Sequence, residues 1–122
     1  MATIVVIDDD ADVRQTLTRI LGSAGHAVHE AAYGEAGLRL AAELAPALVI
    51  TDILMPEKEG IETIRELRRA QPRLRILAIS DGGQPGALDF LDMARALGAD
   101  AALAKPFRRV ELLDLVTGLL AK

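Results

Sequence analysis

The chain has 122 residues, enough for one domain with a substantial core, and its formal net charge of -4 gives no electrostatic case for binding nucleic acid. Hydrophobic residues make up 51% but aromatic residues only 2%, which predicts an aliphatic core, and the absence of cysteine excludes disulfides and thiolate metal sites. There is no signal-peptide pattern and no apolar run near the roughly 20 residues that cross a bilayer, so we expect a soluble, cytoplasmic domain without a membrane partner.

Short β-branched runs alternate with helical patterns along the first half of the chain. Residues 3–7 predict a strand buried on both faces, and the apolar spacing after it indicates a helix that ends at Gly25. A weaker strand at 26–31, a helix that stops before Pro46 and a second buried strand at 47–52 follow.

The second half continues the alternation. It predicts, in order, a helix from Gly60 to about Pro72, a strand at 75–80, a loop at 81–87, a helix to about Leu97, a strand at 101–104 and a last helix through Leu120. Five strand–helix units in succession predict a single α/β domain over residues 1–122, with a doubly wound parallel sheet in the flavodoxin-like order 2-1-3-4-5.

Reactive side chains follow the ends of four of the five predicted strands. They are Asp8 and Asp9 after the first strand, Asp52 at the third, Ser80 at the fourth and Lys105 at the fifth. The second strand ends in Glu30, which is a weaker indication of a site. In this strand order the switch point lies between strands one and three, and ligands bind outside the carboxyl ends there. We therefore expect the three aspartates to meet in one crevice, with the serine and the lysine at its rim.

Three neighbouring carboxylates raise one another's pKa, and a hard divalent cation relieves that repulsion. Mg2+ prefers oxygen ligands and binds through one or two carboxylates completed by waters and phosphate oxygens, so the pattern predicts a magnesium site at Asp8, Asp9 and Asp52. Asp10 is better explained as the N-cap of the first helix. Taken singly, Ser80 would be a turn residue and Lys105 a solvated charge; their joint placement favours a site.

Four motifs resemble the receiver domain of two-component response regulators: "VVIDDD" at 5–10, "LVITDILMP" at 48–56, "LAIS" at 77–80 and "AKPF" at 104–107. The resemblance covers essentially the whole chain. It implies that Asp52 is the phosphoacceptor, that Mg2+ is bound by Asp9 directly, by Asp8 through a water and by the backbone carbonyl of Leu54, that Ser80 and Lys105 contact the phosphoryl group, and that the Lys105–Pro106 peptide is cis.

The resemblance also implies partners. The donor would be a phosphohistidine on a sensor histidine kinase or phosphotransfer protein, and phosphorylation of Asp52 would change a contact with a downstream protein. Such a chain catalyses its own phosphorylation and dephosphorylation and is not an enzyme acting on an external substrate. No nucleic acid is expected as a partner of this chain.

The chain departs from the family pattern at three places. Ala102 stands where the family commonly has an aromatic switch residue. Either output uses backbone and loop movement, with Phe107 or Phe90 involved, or Ala102 is simply a strand residue small enough to fit the core. Asp81, after the expected switch hydroxyl, would add a carboxylate at the rim or point to solvent as a turn residue. The segment 81–92 is a few residues longer than the usual receiver spacing.

The last helix and the overall function leave alternatives open. Leu112, Leu115 and Leu119 widen the apolar arc of this helix, which predicts either a deeply buried helix or a partner surface, including a homodimer through the last two helices. A phosphorylation-independent interaction domain with the same fold is the main functional alternative. A Mg2+-dependent phosphatase would need a second acid after Asp52, which this sequence does not have. A nucleotide-binding Rossmann unit would need a glycine-rich loop after strand one, which is also absent from the sequence.

Overall fold

The computed structural model describes residues 1–53, 59–81, 92 and 94–122. In this part of the chain five strands form a parallel sheet: β1 (Thr3–Ile7), β2 (Ala27–Ala31), β3 (Leu48–Asp52), β4 (Arg75–Asp81) and β5 (Ala101–Lys105). The strands are ordered β2-β1-β3-β4-β5 and every pairing is parallel. The predicted doubly wound, flavodoxin-like architecture is therefore confirmed.

The connections between strands contain helices. The described helices are α1 (Ala11–Ser23), α2 (Gly34–Leu44), α3 (Glu59–Ala70) and α4 (Arg109–Leu120), and residues 94–97 are also helical. None of them has both the length and the apolar character needed to span a membrane. Residues 82–87 of the loop predicted at 81–87 lie outside the described residues.

Strand alternation divides the core between the two faces of the sheet. In β1, Ile4 and Val6 pack with buried residues of α1 and α4, while Val5 and Ile7 pack with buried residues of α2 and α3. All four side chains are fully buried, as the uninterrupted apolar run predicted. Helices thus cover both faces of the sheet.

The local signals at the ends of α1 act as predicted. Asp10 caps the helix, since its carboxylate accepts from the backbone amides of Asp12 at 2.9 Å and Val13 at 3.4 Å. Gly25, just after the helix, has a φ of 94°, a conformation that glycine adopts without steric cost. The weak pattern of β2 has a topological reason, because β2 is an edge strand with partly exposed residues.

The broad apolar arc of α4 packs inward. Leu112 and Leu119 are buried in the core cluster beneath the helix, and Leu115 packs against the same cluster while partly exposed. Burial therefore accounts for these three leucines. Val110, in the first turn, is 64% exposed. A homodimer through this region stays a prediction.

Candidate functional site

The ends of the central strands lie side by side at one edge of the sheet. Ile7, which precedes Asp8, is in register with Thr51, the residue before Asp52. On the other side of β3, Asp52 is in register with Ile79, next to Ser80. The topology therefore brings together the residues that the sequence analysis expected to meet.

The three aspartates form one oxygen-rich cluster. One carboxylate oxygen from each of Asp8, Asp9 and Asp52 lies within 4.8 Å of the other two. Asp8 and Asp52 are buried, whereas Asp9 is exposed. Three carboxylates at this spacing, one of them open to solvent, are a donor set that fits a hard divalent cation such as Mg2+ better than a soft metal.

Lys105 is the basic partner of this cluster. Its Nζ lies 3.2 Å from Asp52 Oδ2 and 3.3 Å from Asp8 Oδ2, so one ammonium group bridges the two buried carboxylates. Burial opposes the charged form, but attraction to Asp52 and Asp8 outweighs it and raises the pKa of Lys105. The lysine therefore remains a cation and balances part of the acidic charge.

Asp8 has a raised pKa in this cluster. Burial raises the pKa of Asp8 from 3.8 to about 6; the Asp10 backbone amide and Lys105 oppose this rise, and the charge of Asp52 adds to it. The ionised form of Asp8 is thus held in a site that disfavours it. A bound cation would favour the same ionised form.

The loop that carries Asp8 is held by a network that the sequence analysis did not predict. The Asp8 amide donates to the carbonyl oxygen of Ala31 at 3.1 Å, and the Asp10 amide donates to Asp8 Oδ1 at 2.9 Å. Arg14 Nη1 donates to the Asp8 carbonyl oxygen at 2.7 Å, and Arg14 Nε pairs with Glu30 Oε1 at 3.3 Å. The available signal was Glu30 at the end of the second strand, but nothing local linked it to Arg14.

Ser80 supplies a buried hydroxyl next to the cluster. The residue is fully buried near the end of β4, and its Oγ has no hydrogen-bond partner among the described residues. A buried hydroxyl without a partner is costly unless something else satisfies it. The expected switch hydroxyl is therefore present and unpaired in the described part of the chain.

The backbone of Asp52 is closely packed. The Ile53 amide donates to the carbonyl oxygen of Ile79 at 3.0 Å, which continues the β3–β4 pairing beyond the strand. A β-carbon placed on Gly60 would lie 2.5 Å from the carbonyl oxygen of Asp52. Glycine at the start of α3 thus lets the helix approach the end of β3.

The remaining predicted residues have mixed outcomes. The Lys105–Pro106 peptide is cis, as predicted. Leu54 and Phe90 lie outside the described residues, and so does the side chain of Asp81, although its backbone extends β4 opposite Lys105 instead of starting a loop. Ala102 is a half-buried strand residue, and Phe107 packs partly buried against the core.

An open cleft is lined in part by Lys105, the basic partner of the acidic cluster. It has a volume of about 270 Å³ and is lined by residues of α1 and of the segment after β5, namely Asp12, Val13, Thr16, Lys105, Pro106 and Phe107. Lys105 therefore faces both the cluster and a partly apolar surface. A macromolecule seated in this cleft would contact Lys105, the residue that pairs with Asp52.

The strand order defines a flavodoxin-like α/β domain, and the acidic cluster is a candidate ligand site outside the carboxyl ends of its central strands. The family model of the response regulator receiver domain matches residues 4–117. The chain belongs to this family, the receiver domains of two-component response regulators.

Individual relatives agree with this assignment. The chain is 35% identical over 126 residues to the sensor kinase CckA of Brucella abortus, covering 99% of this chain and 13% of that protein. It is 37% identical over 123 residues to the response regulator MprA of Mycolicibacterium vanbaalenii, covering 98% and 50%. The chain thus spans half or less of the length of these two curated relatives.

Solved structures show the same fold. A response regulator receiver domain protein from Clostridium thermocellum superimposes with a TM-score of 0.90 at 28% identity, covering 99% of this chain and 95% of that one. The chemotaxis response regulator CheY4 of Vibrio cholerae gives a TM-score of 0.85 at 29% identity, with 98% of each chain covered. Receiver domains of this kind are signalling switches and generally not classical enzymes.

Proposed function

We propose that this domain is a Mg2+-dependent phosphoacceptor switch in which Asp52 receives the phosphoryl group. The observation that carries the proposal is the convergence of Asp8, Asp9 and Asp52 within 4.8 Å, with the Lys105 ammonium 3.2 Å from Asp52. Each of these groups has a use in phosphoryl transfer. Family membership supports the same assignment.

Asp8, Asp9 and Asp52 would hold the metal ion, and the Leu54 carbonyl is its predicted further ligand. When bound, Mg2+ would neutralise charge that develops on the transferring oxygens. The donor set fits that role because all of these ligands are hard oxygens.

The protein's own residues perform the remaining steps. A carboxylate oxygen of Asp52 attacks the phosphorus of a phosphohistidine; the new O–P bond forms as the P–N bond breaks, and the electron pair returns to the imidazole nitrogen. Lys105 would move its ion pair from the Asp52 carboxylate to the phosphoryl oxygens. The Ser80 hydroxyl, which has no hydrogen-bond partner among the described residues, would donate to one of these oxygens.

The proposed donor is a sensor histidine kinase or phosphotransfer protein, and the output is a changed contact with a downstream protein. The cleft lined by Lys105 supports docking of the donor, because Lys105 pairs with Asp52 and the cleft offers apolar surface. The relatives include a sensor kinase and, in Azospirillum brasilense, a DNA-binding transcriptional regulator. A cytoplasmic location belongs to the same proposal and rests on family membership.

Mass spectrometry of the intact protein tests the proposal. We expect incubation with Mg2+ and acetyl phosphate to add one phosphoryl group, and omission of Mg2+ or the Asp52→Asn substitution to abolish this addition, because the carboxylate nucleophile or its cation is then missing. Asp114→Asn, an exposed aspartate on α4, is the matched control and should be modified like the wild type.

Two outcomes would contradict the proposal. Modification of Asp52→Asn at the wild-type level would show that another residue accepts the group. Mg2+ binding without any phosphorylation would favour the phosphorylation-independent interaction domain, an alternative to which Ala102, in place of an aromatic switch residue, lends support.

A further inference from the structure

Arg14 connects the loop after β1 to the neighbouring edge strand. Its Nη1 donates to the carbonyl oxygen of Asp8 at 2.7 Å, while its Nε donates to Glu30 Oε1 at 3.3 Å. The side chains of Arg14 and Glu30 are 18% and 33% exposed, so the pair is partly shielded from water. One planar guanidinium group thus holds a backbone carbonyl at one end and is itself anchored at the other.

The bonded carbonyl belongs to the peptide that joins the two adjacent aspartates. Because a peptide unit is planar, fixing the Asp8 carbonyl also fixes the direction of the Asp9 amide and restrains the Asp9 Cα. In residues 1–53, 59–81 and 94–122 no hydrogen bond to the Asp9 carboxylate is found, and this side chain is exposed. Its position therefore depends on the backbone that carries it.

The other hydrogen bonds of this loop do not fix the orientation of the peptide between Asp8 and Asp9. The Asp8 amide is bonded to Ala31, and the Asp8 carboxylate is bonded to the Asp10 amide and to Lys105. These contacts fix the start of the loop and the first carboxylate. Arg14 alone among the described side chains holds the carbonyl between Asp8 and Asp9.

We propose that Arg14, anchored by Glu30, is a positioning residue for the cation site: it sets the Asp8–Asp9 peptide so that the Asp9 carboxylate faces Asp8 and Asp52. The inference rests on the proposed function, since it assumes that this cluster binds Mg2+. It assigns a role to a residue that touches neither the cation ligands' carboxylates nor the phosphoacceptor.

Charge and positioning have opposite effects on cation binding, and this makes the proposal testable. Removal of a positive charge near the site would by itself strengthen the binding of Mg2+, because like charges repel. Loss of the hydrogen bond would weaken binding, because the Asp9 carboxylate would no longer be held in place. Replacement of a group that orients a metal ligand typically lowers affinity about 10- to 100-fold.

The experiment measures the dissociation constant for Mg2+ from the backbone amide NMR signals of Asp9 and Asp10 in the intact chain. We expect Arg14→Ala to weaken binding about tenfold. Arg14→Lys, which keeps the charge and one donor group, should recover part of the loss. Arg19→Ala removes an exposed arginine of the same helix and should leave the affinity unchanged.

Glu30 provides the second arm. Glu30→Ala should weaken Mg2+ binding in the wild-type background, but have no further effect in the Arg14→Ala background, because the anchor then has nothing to hold. A purely electrostatic effect of Glu30 would instead persist in both backgrounds.

The outcomes separate the two proposals. A wild-type protein that does not bind Mg2+ would overturn the proposed function and this inference with it. A wild-type protein that binds Mg2+, with Arg14→Ala binding as tightly as Arg19→Ala or more tightly, would overturn the inference alone. If Arg14→Ala does not fold, the Arg14→Lys and Glu30→Ala variants decide together. Wild-type affinity for Mg2+ in both of them would overturn the positioning role of Arg14.

Discussion

Charged groups are paired differently at the two ends of the strands, here called the amino edge and the carboxyl edge of the sheet. At the amino edge, where the strands begin, Arg68 pairs with Asp100 at 2.8 Å, and Asp100 Oδ2 also accepts from the Ile76 amide at 2.8 Å. The same guanidinium donates to the carbonyl oxygens of three residues, Gly98, Pro72 and Leu74. Charge and hydrogen-bonding capacity are matched, and the cluster joins α3 to β4 and to the segment before β5.

At the carboxyl edge the groups are left unbalanced. The ammonium group of Lys105 pairs with two of the three carboxylates, those of Asp8 and Asp52. The pKa of Asp8 is raised to about 6, and the Ser80 hydroxyl has no partner among the described residues. Groups of this kind lower stability when nothing is bound. The amino edge therefore stabilises the fold, and the unbalanced groups at the carboxyl edge support the proposal that a cation and a phosphoryl group bind there.

The largest expected effect is a loss of stability with rising pH that originates at Asp8. In the unfolded chain its pKa is near 3.8, and in the fold it is about 6, so the native state retains a proton that the unfolded state has released between these values. Without Mg2+, the contribution of Asp8 to the free energy of unfolding therefore falls as pH rises from about 4 to about 6, by about 3 kcal/mol in total.

Urea unfolding of wild type and Asp8→Asn between pH 4 and 7 measures this contribution. The stability of Asp8→Asn relative to wild type should increase across that range, whereas the exposed Asp114→Asn should show a constant difference. A relative stability of Asp8→Asn that stays constant with pH would show that the carboxyl edge carries no such cost.

At the amino edge the prediction concerns stability alone. Arg68→Ala removes the partner of Asp100 and of three carbonyl oxygens, and we expect it to lower the free energy of unfolding by about 2 kcal/mol. The affinity for Mg2+ should not change, since Arg68 lies at the opposite edge of the sheet.

Arg69→Ala is the matched control, because Arg69 is the next residue on α3 and is exposed. It should alter the stability by less than about 0.5 kcal/mol. If Arg68→Ala weakened Mg2+ binding while Arg69→Ala did not, the two edges would be coupled, and the contrast drawn between them would be wrong.

How far the sequence predicts each edge depends on the range of the interactions. Asp8, Asp52 and Lys105 could be placed together because strand periodicity predicts where each strand ends and the parallel topology aligns those ends. Asp10 could be assigned as a cap because an N-cap bonds within three residues of itself.

Other features had no local signal. Arg68 and Gly98 are 30 positions apart, Arg14 and Glu30 are 16 apart, and no periodicity or motif links either pair. Such contacts depend on how long side chains cross between elements after the elements have packed. The paired use of Lys105 by both Asp8 and Asp52 was likewise visible only from the distances.

The smallest expected effect tests whether the Ser80 hydroxyl at the carboxyl edge contributes to the stability of the fold. Because Ser80 Oγ is buried without a partner in the described residues, Ser80→Ala should leave the free energy of unfolding unchanged or raise it by up to about 1 kcal/mol. Ser23→Ala is the contrast: its Oγ donates to the Ile20 carbonyl oxygen at 2.7 Å and accepts from Arg109, so this substitution should lower stability by about 0.5 to 1 kcal/mol. Urea unfolding of both variants gives the comparison.

A loss above about 1.5 kcal/mol in Ser80→Ala would mean that the hydroxyl already stabilises the fold. An unchanged stability with slower phosphorylation by acetyl phosphate would mean that the partner of this hydroxyl is the incoming phosphoryl group.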